Sequence, residues 1–119
     1  MDRSDATDAF GALAQPTRLD AFRLLVRHEP DGLPVGEIAR ALGVPHNTLS
    51  THLAILARAG LVRSERRSRL IIYRADLGAV QQLAAFLLED CCAGRPDIVA
   101  AFAQAATACG APSPKGDAS

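Results

Sequence analysis

The stretch from Pro34 to Ala75, PVGEIARALGVPHNTLSTHLAILARAGLVRSERRSRLIIYRA, constrains the fold of this chain more than any other. Ile38, Ala39 and Leu42 give one short apolar face to a helix that opens near Val35 and closes at Gly43. Gly43 suits the left-handed turn at a helix C-terminus, and Pro45 suits a helix start, where its missing N–H has no partner to lose. A second helix follows from His46. Leu49, Leu53, Leu56 and Ala57 lie on one of its faces, and His46, Asn47, Ser50, Thr51 and Arg58 fall largely on another. Gly60 stops this helix. Leu61 to Arg67 and Leu70 to Ala75 then read as two strands around a turn at Ser68 and Arg69. Helix, tight turn, helix and basic hairpin, in that order, make a winged helix-turn-helix.

The charge is unevenly distributed. The 119 residues carry 13 basic and 13 acidic groups, which excludes a generally polycationic chain. Residues 36 to 75 nevertheless hold seven arginines (Arg40, Arg58, Arg63, Arg66, Arg67, Arg69 and Arg74) against Glu37 and Glu65 alone. Both flanks have an acidic excess. A basic block coinciding with the hairpin fits phosphate contacts, and acidic flanks keep the remaining surface off a duplex. Short polar side chains at the start of the second helix let its backbone approach base edges closely. His46, Asn47, Ser50, Thr51 and His52 are therefore the candidate groove contacts, and Arg66, Arg67 and Arg69 the candidate wing contacts. His46 and His52 are six residues apart, roughly 600° around a helix, and so make poor partners for one metal ion.

Three segments resemble the ArsR/SmtB family of metal- and metalloid-responsive repressors: FGALAQPTRLDAFRLLV at residues 10 to 26, NTLSTHLAILARAGLVRSERRSRLIIYRAD at 47 to 76, and the vicinal Cys91 and Cys92 after a long apolar helix. The resemblance runs from about Phe10 to Cys92, with Pro16, Thr17 and Arg18 and the LSTHLAILARAGLV run as its landmarks. It implies helices 1 to 4, a two-stranded wing, a long fifth helix and a homodimer whose first and fifth helices form the interface. It also implies an inducer that weakens operator affinity.

The residues agree with that architecture. Asp76 can cap a helix running to about Cys92, along which Val80, Leu83, Ala84, Leu87, Leu88 and Cys91 form an apolar stripe. A chain with four Phe, one Tyr and no Trp has a modest core, so dimerisation would bury more of that stripe. Two-fold symmetry sets the recognition helices about one DNA turn, roughly 34 Å, apart, and the expected operator is an imperfect inverted repeat. Length and composition fit one domain over residues 1 to 109, with a Pro-, Gly- and Ser-rich disordered tail at 110 to 119. A short C-terminal helix is expected after Pro96. There is no apolar run of membrane-span length and no signal-peptide core, so the expected location is cytoplasmic.

In a reducing compartment Cys91, Cys92 and Cys109 are expected as thiols. Soft thiolates suit trivalent arsenic and antimony, and adjacent cysteines about 100° apart can reach one ion where Gly94 and Pro96 let the helix fray. Arsenic-responsive relatives often carry a third Cys shortly after the pair. Here the candidate is Cys109, which lies about 20 Å beyond Pro96 if the intervening segment is helical. Two thiols alone suffice for a monomethylated arsenical. A zinc site on the long helix would need histidine, and none follows His52. A thiol-redox or persulfide response remains the alternative, through a Cys92–Cys109 disulfide if their Cα atoms come within about 7 Å. An enzyme is not expected, because the cysteines have no adjacent base, phosphate loop or C-x-x-C motif.

Overall fold

The computed structural model describes residues 1–91 together with Asp97, Ala100, Ala101 and Gln104. The elements are α1 (Arg3–Leu13), α2 (Pro16–Arg27), β1 (Leu33–Pro34), α3 (Val35–Leu42), α4 (His46–Arg58), β2 (Val62–Arg67), β3 (Leu70–Ala75) and α5 (Leu77–Cys91). The chain divides into two compact units, Met1–Leu83 and Ala84–Ser119.

Local chemistry sets the helix ends of the first unit. Asp2 and Asp5 form a reciprocal capping box on α1, each carboxylate accepting from the other's backbone N–H at 2.8 and 3.3 Å. The Gln15 side chain caps α2, with Pro16 at the first helical position. Gly43 closes α3 in the left-handed conformation at φ 68°, as the sequence predicts. The Asp76 carboxylate accepts from the Ala79 N–H at 3.2 Å and so caps α5.

Helices α2, α3 and α4 pack around a core of Ala21, Phe22, Leu25, Ile38, Leu49, Leu53 and Leu56. Ala6, Ala9 and Ala12 are the buried residues of α1, and such small side chains let it lie close to its neighbours. The hairpin contributes Leu61, Val62, Ile72 and Ala75, and α5 contributes Leu83. Leu49, Leu53 and Leu56 are fully buried, but Ala57, expected on the same face of α4, is exposed. Ala57 lies four residues after Leu53, yet close to the C-terminal end of the helix, where its neighbours turn away into the hairpin.

The sheet contains more than the expected two strands. Its order is β1-β3-β2, all antiparallel, with Leu33 opposite Tyr73 and Pro34 opposite Ile72. The two-residue β1 carries no alternation from which it could be read. It depends instead on Gly32, where φ is +73° and an added Cβ would lie 2.5 Å from the Tyr73 carbonyl oxygen. Only glycine tolerates both conditions.

In the second unit α5 continues to Cys91. Asp97, Ala100, Ala101 and Gln104, within the expected C-terminal helix, are helical. The rest of that helix and the tail at 110–119 lie outside the described residues.

Candidate nucleic-acid interface

With Leu49, Leu53 and Leu56 buried, α4 turns its opposite face outward. His46, Asn47, Thr48, Thr51 and Ala54 are exposed, while Ser50 and His52 are half-buried at the two margins. Thr48 was absent from the candidate groove contacts, yet helical geometry reveals it: at about 100° per residue it lies roughly 60° from Thr51, between Thr51 and His52. The first turn of α4 has no side-chain cap, because its N-cap is Pro45. Its leading amides are therefore open to an anion, unlike those of α1 and α2.

His52 is anchored from inside the protein through one ring nitrogen. Its Nδ1 is 3.3 Å from Nη1 of Arg18, and Nε of the same guanidinium donates to the Ala12 carbonyl at 2.6 Å. This contact spans 34 residues and nothing in the local pattern announces it.

The wing is the hairpin β2–β3, paired from Val62 opposite Ala75 to Arg67 opposite Leu70. The two residues left at its tip are Ser68, at φ 58°, and Arg69. A two-residue turn that follows the sheet's right-handed twist requires such a positive φ.

The seven arginines are not equivalent cations. Arg40 pairs with Glu37 at 2.7 Å, Arg67 with Glu65 at 3.3 Å, and Arg63 with Asp76 at 4.0 Å. Arg74 donates to both carboxylate oxygens of Glu29, at 3.0 and 3.4 Å, and lies 3.8 Å from Glu65. The Glu29 hydrogen bonds and charge hold the Arg74 guanidinium above its ordinary pKa. Arg74 thus ties the sheet to the segment after α2. Among the described residues, no ion pair engages Arg58, Arg66 or Arg69. Arg58 lines a cavity of about 260 Å³ against α1, with Asp8 and Gly11. Among the described residues, Arg66 and Arg69 are the wing cations without an ion pair, and Arg67, expected to act with them, is engaged.

Between wing and helix pair lies an open cleft of about 500 Å³. Arg40, His46 and Arg69 line it beside Val35, Leu70 and Ile71. Leu70 and Ile71 are 54% and 44% exposed, so the cleft offers apolar contact between Arg69 on one side and the Arg40–Glu37 pair on the other.

Residues 13–65 match the family model described as a helix-turn-helix domain. The uncharacterized HTH-type transcriptional regulator YbzH of Bacillus subtilis is 33% identical over 94 residues, covering 67% of this chain and 92% of the relative. Among solved structures, an ArsR-like transcriptional regulator from Rhodococcus sp. RHA1 superposes with a TM-score of 0.68 at 29% identity, covering 87% of this chain and 93% of that one. The chain belongs to the ArsR family of winged-helix transcriptional regulators. A second ArsR-type neighbour is the homodimeric winged helix-turn-helix DNA-binding domain of a possible ArsR-family regulator from Mycobacterium bovis. Its TM-score is 0.58 at 29% identity, covering 71% of this chain and 81% of that one. All of these similar proteins are described as transcriptional regulators or DNA-binding domains.

In this ArsR-family chain Cys91 is the last residue of α5, while Cys92 and Cys109 lie outside the described residues. No three His, Cys, Asp or Glu side chains among the described residues converge to hold a metal ion. No described helix is long and apolar enough to cross a membrane.

Proposed function

We propose that this regulator is a homodimeric repressor that binds an inverted-repeat operator and releases it when trivalent arsenic or antimony binds its cysteine thiolates. The observation that carries the DNA-binding half is the juxtaposition of two features. One is the polar outward face of α4, formed by His46, Asn47, Thr48 and Thr51; the other is a wing whose Arg66 and Arg69 have no ion-pair partner among the described residues. Asn47, Thr48 and Thr51 would meet base edges, with Ser50 and His52 at the margins. Arg66 and Arg69 would meet phosphate or the minor groove, joined by Arg67 once it leaves Glu65.

Dimerisation is supported by apolar side chains left outside the core. Phe10 of α1 and Leu77 and Val80 of α5 are between 39% and 45% exposed. A second copy covering them would bury a stripe that one protomer leaves in water. The Mycobacterium bovis neighbour, itself homodimeric, supports the same assembly.

The donor chemistry fits a trivalent metalloid: Cys91 and Cys92 are adjacent soft donors at the end of the proposed dimer helix, with Cys109 as a third. Binding there would favour a dimer geometry whose recognition helices no longer match successive major grooves. The typical coupling for such a switch is about 1–3 kcal/mol.

The test is fluorescence anisotropy of reduced protein on DNA from upstream of its own gene, with arsenite, methylarsenite, antimonite, zinc, hydrogen peroxide and a persulfide donor added separately. Release by a trivalent metalloid, abolished in the variant carrying Cys91→Ser and Cys92→Ser, is the expected result. Release by peroxide or persulfide alone would establish the thiol-redox alternative and refute metalloid sensing.

A further inference from the structure

We propose that Arg18 is a positioning residue for operator recognition, holding His52 as an oriented donor at the margin of the α4 face. The inference rests on the reading of α4 as the recognition helix. An arginine guanidinium can only donate, so the Arg18 Nη1 contact of 3.3 Å makes His52 Nδ1 the acceptor. With Nδ1 accepting, Nε2 is the ring nitrogen left to donate. Among the described residues no hydrogen bond engages Nε2, which leaves an N–H directed away from Arg18 and free for an acceptor on DNA.

The other half of the clamp fixes the guanidinium. Its Nε donates at 2.6 Å to the carbonyl of Ala12, in the last turn of α1, where helical carbonyls have no intrahelical partner. With Nε held there and the Arg18 backbone N–H bound to the Gln15 side chain at 2.8 Å, Nη1 has a set direction toward α4. One planar side chain therefore joins the end of α1, the start of α2 and the middle of α4. A lysine has a single donor centre and cannot hold both partners in this geometry.

The acceptor for Nε2–H is an oxygen or nitrogen of DNA. It is either a base edge, such as purine N7, guanine O6 or thymine O4, or a phosphate oxygen. These sources separate by specificity: a base contact affects operator affinity alone, and a phosphate contact affects operator and unrelated duplex equally.

The experiment is a double-mutant cycle on operator affinity with Arg18→Ala and His52→Ala, together with nitrogen-15 spectra of the histidine rings in the free protein. Each single variant is expected to lose about tenfold, and the double variant no more than either, because one contact per protomer is removed in all three. The His52 Nδ1 signal should shift when Arg18 is replaced by Ala or Lys. His52→Gln, whose side-chain amide reaches the Nε2 position, should retain more affinity than His52→Asn, which keeps only the acceptor for Arg18. Arg18→Lys preserves the charge and serves as the second variant if Arg18→Ala fails to fold. Losses that multiply in the double variant, or an Nδ1 signal indifferent to residue 18, would overturn the proposal. Arg69→Ala is the control. If it weakens DNA binding while the cycle is additive, only the positioning role fails; wild-type protein that binds no DNA overturns both readings.

Discussion

Replacing Arg66 and Arg69 together by Ala should change the salt dependence of operator binding far more than it changes the fold. Both lie on exposed strand and turn positions with no ion pair among the described residues, so nothing internal is broken. Each lysine or arginine that neutralises a phosphate contributes about 0.9 to the slope of log affinity against log salt. Two arginines per protomer are four per dimer, and their loss should flatten the slope by about 3.6. Between about 50 and about 200 mM salt, the wild type should therefore lose roughly 150-fold more affinity than the variant. Fluorescence anisotropy across a salt series measures this directly. Arg67→Ala should change the slope much less, because Arg67 already sits 3.3 Å from Glu65 and a phosphate contact would have to displace that pair. An unchanged slope in the double variant, or an equal effect from Arg67 alone, would refute the assignment of wing charge made from the ion pairs.

Glu65→Gln should tighten DNA binding by about two- to fivefold, since it frees Arg67 and removes a negative charge from the wing; a titration showing weaker binding would contradict this. Leu53→Ala should cost about 2–5 kcal/mol in urea unfolding, because Leu53 is fully buried at the back of α4. Gly32→Ala should cost more than Gly60→Ala, although both have positive φ. At Gly60 a Cβ meets open space, leaving only the backbone penalty of about 1–2 kcal/mol, whereas at Gly32 it collides with the Tyr73 carbonyl. Equal losses in urea melts would show that β1 is not held against β3 as described. Val80→Glu should shift sedimentation toward a monomer if the exposed α5 stripe is the dimer surface, and an unaltered dimer would move the interface elsewhere.

Much of the fold was legible in the sequence because it is written in neighbouring residues. Gly43 and Pro45 punctuate the helix pair, Gly60 ends α4, and Leu49, Leu53 and Leu56 return at helical spacing to the buried face. The wing strands came out within one residue of their expected start, since β-branched and aromatic residues cluster on β3 and the turn is short. The exposed face of α4 was read in outline, although Thr48 was missed and Ala57 was placed on the wrong side.

The sequence by itself determined the order of elements and the presence of a basic hairpin beside a short polar helix face, because periodicity and turn chemistry act over a few residues. Only the tertiary structure decided which charges are free. Glu29 reaches Arg74 across 45 residues and Arg18 reaches His52 across 34, while β1 pairs with β3 through the space Gly32 leaves open. Those partners are chosen by packing of distant segments, and a hydrogen bond or ion pair forms only where packing has already brought its two ends together.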